Sequence, residues 1–381
     1  MHRINSIEKL LKELQQEPRK PRKVLVAMSG GVDSSVAAYI MKEAGIEVIG
    51  VTLRLRSCSL EEGVKQKACC GAEDSIHAQA VAGRLGIPHY FLDYQEDFRK
   101  KVLEKAWEEY ASGRTPNPCV LCNRFLKFGK LFHYAGAIGA EGIVTGHYAR
   151  ILPQEGGAYG LFRGIDSKKD QSYFLFALDP AVLSRCWFPL GGLLKTEVRE
   201  IAREIGLSNA EKRESQDACF GVGGEAFADT LRRVLGKTVK PGIFTDASGK
   251  ILGYHEGVHA YTLGQRRGLG VALGKRAYVA RIDVEKGIVV LDTDEKELLH
   301  SELVAKEVNW LAPLFAKKPF EGFVQVRYTQ QAVPAYIVPL EGGRIRVEFT
   351  EKVRAITPGQ AAVVYKEDQL ICGGWIEPYS V

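Results

Sequence analysis

The segment Ser29-Gly30-Gly31-Val32-Asp33-Ser34-Ser35 concentrates phosphate chemistry directly after a short apolar run, Val24-Leu25-Val26-Ala27. Glycines let the main chain approach a phosphate with no Cβ in the way. A glycine turn that enters a helix presents several backbone N–H groups to an anion, and the helix dipole adds to the attraction. Ser29, Ser34 and Ser35 add hydroxyl donors, while Asp33 either caps the helix or holds a magnesium ion on the phosphates. The segment lacks the Gly-Lys-Ser/Thr of a Walker loop and the G-x-G-x-x-G spacing of a dinucleotide fold.

Eight cysteines supply the second reactive set. Cys119-Val120-Leu121-Cys122 follows Pro116-Asn117-Pro118, and a helix is expected over residues 122–138. Cys122 is thus expected at or near a helix N-terminus, where free amides and the dipole favour a thiolate. Cys219 lies in a polar loop with Gly221, Gly223 and Gly224 beyond it, the setting of a mobile nucleophile. Cys119, Cys122 and Cys219 offer three thiolates, enough to hold an iron–sulfur cluster, such as [4Fe-4S], with one open iron. Cys69 and Cys70 with Cys119 and Cys122 would make a four-thiolate zinc set, although adjacent side chains diverge and suit it poorly. Cys58, Cys186 and Cys372 read as small packed apolar residues.

These groups need a scaffold, and the first half of the chain alternates strand and helix patterns. Strands are expected at 24–27, 47–55, 88–92 and 142–145, and helices at 33–43, 74–85, 96–110 and 122–138. Repeated βα units imply a parallel sheet with helices on both faces, and so an α/β fold. Helices are expected again near 196–205 and 227–234. After Gly242 short strands dominate, and those at 322–328, 335–339, 345–349 and 361–365 have the spacing of a small β-barrel. The expected organisation is an N-terminal extension (1–22), an α/β domain with the phosphate loop (23–214), a small central domain (215–299) and a C-terminal barrel (300–381). Ile7, Leu10, Leu11 and Leu14 fall at helical spacing within the extension.

Length and composition agree. The 381 residues exceed one ordinary core, and 45% hydrophobic with 26% charged residues is globular. Fifty-two Lys and Arg against 46 Asp and Glu give a net charge of +6, a mild bias that permits a polyanionic partner. No apolar run reaches the roughly 18 residues of a membrane span, and residues 1–23 lack a secretory core. A cytoplasmic location with no membrane partner is expected, where cysteines serve catalysis or metals more than disulfides.

The motifs occur in one order: 29–34; 113–123; Thr145-Gly146-His147-Tyr148-Ala149-Arg150; Lys169-Asp170-Gln171-Ser172-Tyr173; Cys219-Phe220; 261–270; and Arg327-Tyr328. Together they resemble the tRNA-specific 2-thiouridylases, ATP pyrophosphatases that modify the wobble uridine of tRNA, and the resemblance extends over essentially the whole chain after residue 22. It implies that Ala27, Met28, Ser29, Gly30, Gly31, Val32, Asp33 and Ser34 bind ATP phosphates with Mg2+. Leu53 and Gly146 would contact the nucleotide. It implies a nucleophilic or resolving thiol at Cys122 and a persulfide at Cys219. His147, Lys169, Asp170, Gln171, Ser172, Tyr173, Arg327, Tyr328 and Gln360 would lie against tRNA, and a persulfide or sulfide donor protein would supply sulfur. The chain departs from the family at Cys119, where many members carry aspartate. A persulfide relay through Cys219 and a cluster-bound sulfide on Cys119, Cys122 and Cys219 both follow. Two other readings of the loop and thiols are adenylation of a small-molecule acceptor and a sulfur carrier that binds nucleotide only for regulation.

Overall fold

Val24, Leu25 and Val26 form a strand buried on both faces, β1 (Lys23–Ala27), at the centre of a parallel sheet. The computed structural model describes residues 2–55, 72–212, 225–271 and 274–378. Two compact units account for the chain, one of Met1–Lys101, Cys119–Gly224 and Asp368–Leu370, the other of Val102–Pro118, Glu225–Glu367 and Ile371–Val381.

In the first unit β1 pairs in parallel with β2 (Glu47–Arg54) on one side and with β4 (Gly142–Val144) on the other. β3 (His89–Asp93) extends the sheet beyond β2, and Cys186–Trp187 extends it beyond β4. Helices cover the sheet through apolar stripes. α2 (Val32–Glu43) buries Val36, Ala37, Ile40 and Met41; α3 (Ala72–Leu85) buries Ala78, Val81, Ala82 and Leu85. Val198, Ile201 and Ala202 of the helix Lys195–Glu204 join the same core. Ile7, Leu10, Leu11 and Leu14 of α1 (His2–Gln16) pack on it as their spacing predicts. Each fully buried aliphatic side chain contributes about 1.5–3 kcal/mol.

The helix expected over 122–138 differs in two ways. It starts at Pro118, whose fixed φ and missing N–H suit the first helical position, and it runs as a π-helix over Asn123–Lys130 before Leu131–Ala137. Gly129 permits the wider turn, since a Cβ there would lie 2.9 Å from the carbonyl oxygen of Arg124, five residues earlier.

The second unit holds a four-stranded sheet, built from Gly242–Thr245, Ile251–His255, Tyr278–Asp283 and Ile288–Asp292, over a core of Phe244, Val279, Val289 and Leu291. It also holds a six-stranded barrel. Leu299–Trp310, Arg344–Arg354, Val333–Leu340, Phe320–Gln325, Ala361–Lys366 and Gln369–Ile376 follow one another, and Ala305 pairs with Ile376 to close the ring. Ile345 and Val347 alternate inward with Ile337 and Val364. The strand expected to run through Tyr328 ends at Gln325. The Gln325 amide donates to the carbonyls of Arg327 (3.2 Å) and Tyr328 (3.0 Å), which turns the chain out of the ladder. Among the described residues no helix is long and apolar enough to cross a membrane.

Candidate active site

The chain leaves β1 for β2 on one side, while β4 pairs on the other, so the strand order reverses between β1 and β4. Open α/β sheets bind ligands in the crevice at this point, beyond the carboxyl ends of the strands. The loops after β1 and β4 meet there. A Cβ on Gly146 would lie 2.8 Å from the carbonyl carbon of Asp33 and the amide nitrogen of Ser34, so only glycine lets the second loop rest on the start of α2.

The loop after β1 is held by its carbonyls. Thr52 Oγ1 donates to the Met28 carbonyl at 2.7 Å, and Asn209 Nδ2 donates to that of Gly30 at 3.0 Å. The Gly31 carbonyl accepts from Ser34 Oγ (3.1 Å) and Ser35 Oγ (2.9 Å). In a trans peptide C=O and N–H point in opposite directions, so tying down these oxygens turns the amides of Gly31 and Val32 away from the protein. The first amides of α2 have no partner within the helix, which completes a cluster of donors for an anion. Gly30 has φ +75°, and a Cβ on it would meet the Asp74 carbonyl oxygen at 2.1 Å.

Asp33 does not cap α2. The N-cap is Gly31, with no side-chain cap bond, and Asp33 Oδ1 instead accepts from Tyr148 Oη at 2.8 Å and from Lys195 Nζ at 2.6 Å. Both bonds fall on one oxygen, and Oδ2 has no bond among the described residues. One carboxylate oxygen beside a phosphate cradle is the donor set Mg2+ uses with nucleotides. Lys195 is a site residue that motif reading missed. Its side chain is 10% exposed and it opens a helix, where a cation opposes the dipole. A lysine in the first turn is unfavourable locally, and that was its one signal in the sequence.

Ala27 to Ser34 and Gly146 therefore come together at one end of the sheet. Leu53 is buried on β2, next to Thr52, which holds Met28. Cys119 is half-buried in the second position of its helix and Cys122, 7% exposed, is in the fifth, so Cys119 lies nearer the free amides. Asn123 Nδ2 ties this helix to the Phe174 carbonyl at 3.0 Å. Cys219, Cys58, Cys69 and Cys70 lie outside the described residues, so neither the cluster set nor the zinc set is assembled among those described. No group of three His, Cys, Asp or Glu side chains gathers for a metal among the described residues. Burial pushes the Cys186 thiol up to about 12 and raises that of Cys372, which keeps both as packed, protonated groups.

The residues expected against tRNA divide by exposure. Lys169 and Gln171 are half-buried and Tyr328 is exposed. Asp170 is interior: it accepts from the Gly164 and Ser172 amides, Arg163 Nη1 and Ser172 Oγ at 2.8–3.1 Å. Tyr173 and Ser172 are also interior, and Gln171 accepts from the Tyr148 amide through Oε1 (3.1 Å). In the second unit Arg327 donates to the Leu263 carbonyl (2.8 Å) and to Thr357 Oγ1. Gln360 donates to the carbonyls of Thr115 (3.1 Å) and Pro116 (2.8 Å), a few residues before Cys119 in the chain.

His147 sits between Phe128 and Phe188, with ring centroids at 5.9 and 5.7 Å, and its Nδ1 is 2.6 Å from Thr145 Oγ1. Burial holds its pKa well below the ordinary 6.5, and Lys127 adds to the effect. The folded ring is neutral while the unfolded ring protonates near 6.5, so its stabilising share is complete above that pH and declines below it. The decline is about 1.4 kcal/mol per pH unit until the folded pKa is reached. His89, His255 and His259 are depressed by burial in the same direction. Urea unfolding at pH 7.5, 6.5 and 5.5 is expected to show falling stability, with a shallower fall in His147→Phe. An unchanged slope in that variant would contradict the assignment.

Comparison with known proteins accounts for this arrangement. Residues 22–223 match the family model described as tRNA methyl transferase HUP domain. Residues 228–292 match a tRNA methyl transferase PRC-barrel domain and residues 300–376 an aminomethyltransferase beta-barrel domain. The chain is 45% identical over 358 residues to the tRNA-specific 2-thiouridylase MnmA of Carboxydothermus hydrogenoformans, covering 93% of this chain and 98% of that protein. Proteins of the same name from Clostridium botulinum and Geotalea uraniireducens are each 43% identical, over 93% and 94% of this chain and 99% and 96% of theirs.

Proposed function

Because the chain belongs to the tRNA-specific 2-thiouridylase family, we propose that it replaces O2 of the wobble uridine of tRNA with sulfur at the expense of ATP, in the cytoplasm. The observation that carries this reading is the phosphate loop at the β1/β4 crevice, its carbonyls tied down and its amides turned out, with Lys195 buried against Asp33.

The first step is adenylation. Uridine O2 attacks the α-phosphorus of ATP, the bond to the β-phosphate oxygen breaks, and pyrophosphate leaves. The Gly31 and Val32 amides hold that leaving group, and Lys195, bonded to Asp33 at the start of α2, shares its charge. Asp33 Oδ2 would hold Mg2+, which supplies further neutralisation of the phosphates when bound.

The second step is sulfur transfer. A donor protein loads Cys219 as a persulfide, whose terminal sulfur attacks C2, and the C2–O bond breaks to release AMP. The Cys122 thiolate then attacks the sulfur of Cys219, giving a Cys122–Cys219 disulfide and freeing 2-thiouridine. An external dithiol reduces that disulfide. This relay uses thiols alone, and Cys119 has no step in it. A net charge of +6 suits the polyanionic substrate.

With α-labelled ATP, the protein is expected to form AMP only when unmodified tRNA is present, one AMP for each 2-thiouridine. AMP formation without RNA would instead identify an enzyme that adenylates a small acceptor.

A further inference from the structure

Asn209 follows the helix Lys195–Glu204 by five residues in a tight turn, far from the phosphate loop in sequence. Its side chain is 1% exposed and lies against that loop. Nδ2 donates to the Gly30 carbonyl and to Ser35 Oγ, both at 3.0 Å. Its own Oδ1 is buried and has no partner among the described residues. A residue kept for packing alone would be better apolar, since an unsatisfied buried acceptor is unfavourable. The side chain is thus held for its two N–H groups.

One of those donors acts directly on a peptide unit of the loop. The Gly30 carbonyl belongs to the Gly30–Gly31 peptide, and Asn209 fixes the plane of that peptide in a segment where two glycines leave it otherwise free to rotate. With the oxygen turned toward Asn209, the Gly31 N–H is turned away from it. That amide has no hydrogen bond to an acceptor among the described residues.

We propose that Asn209 is a positioning residue of the phosphate loop: it sets the Gly31 N–H toward the β- and γ-phosphates, so its contribution is confined to ligands that carry a pyrophosphate group. The inference rests on the ATP reading above and adds to it the residue that preorganises the loop. Asn209 touches no reacting atom; it acts through the Gly30–Gly31 peptide.

The test is calorimetric binding of ATP, inorganic pyrophosphate and AMP, each with Mg2+, to the full-length protein and to Asn209→Ala and Asn209→Asp. Aspartate keeps the shape and removes both donors. ATP and pyrophosphate affinities are expected to fall at least about tenfold, as for a lost oriented donor, with AMP affinity within about twofold. In tRNA-dependent AMP formation the variants are expected to show a raised KM for ATP. Asn209→Ser, which keeps one donor, is expected to recover part of the ATP affinity, and it serves where the other two variants do not fold. ATP, pyrophosphate and AMP weakening together would assign Asn209 to general packing and overturn the inference. ATP bound equally by variants and wild type would overturn it alone. Wild type binding neither ATP nor pyrophosphate would overturn the ATP reading and this inference with it.

Discussion

Replacing Lys195 with methionine is expected to lower tRNA-dependent AMP formation by about 10²–10³-fold, the loss typical of removing a preorganised donor at a site of developing charge. Methionine keeps the buried volume, so the change is chiefly one of charge. Lys195 and Tyr148 share Asp33 Oδ1. Without the ammonium the Asp33 carboxylate meets an incoming polyanion with no counter-charge from the protein. A double-mutant cycle with Asp33→Asn separates two roles for Lys195. If it acts only by neutralising Asp33, the double variant is no worse than Asp33→Asn. If it also holds pyrophosphate, as its burial beside the loop favours, the double variant is worse. The measurement is label transferred from α-labelled ATP to AMP, with tRNA affinity as the control. Activity within about threefold of wild type in Lys195→Met would remove Lys195 from the chemistry.

The second large effect is expected at the thiols. Cys219→Ser and Cys122→Ser should each lose formation of 2-thiouridine by more than about 10³-fold, because a hydroxyl neither carries a persulfide nor resolves one. Adenylation precedes sulfur transfer, so both variants should still release pyrophosphate when given tRNA. Cys119→Ala separates the two sulfur mechanisms. The relay predicts near-normal product, whereas a cluster held by three thiolates predicts loss of product together with iron. Cys119 is the more exposed member of the C-x-x-C pair, so its accessibility to alkylating reagents gives an independent check on the variants.

Much of the fold was legible because its signals are local. The buried run of β1, the 7-10-11-14 spacing in α1 and the alternation through 345–349 each state a period that one element satisfies. The loop after β1 was equally plain, since glycines and hydroxyls at the end of a strand have few other uses. Tertiary demands were harder to see. Asp33 reads as a helix cap or a magnesium ligand, and nothing local shows that Lys195, 162 residues away, bonds one of its oxygens. Asn209 looks like an ordinary turn residue until its amide is found on Gly30, 179 residues earlier. Tyr173, Asp170 and His147, placed against tRNA only by the family resemblance, are buried and bonded inside the first unit. The π-turn after Cys122 had only Gly129 to announce it, and a lone helical glycine has several explanations. For Asp33 and Asn209 the missing information was a partner distant in sequence.

The central claim is tested most directly by the nucleoside product. Purified protein is incubated anaerobically with unmodified tRNA bearing a wobble uridine, ATP, Mg2+ and a persulfide donor, and the digested tRNA is analysed by mass spectrometry. The account predicts 2-thiouridine at that position, dependent on ATP and absent with Lys195→Met. No thiolated nucleoside, with AMP still released in the absence of tRNA, would contradict it and identify a small-molecule adenylating enzyme instead.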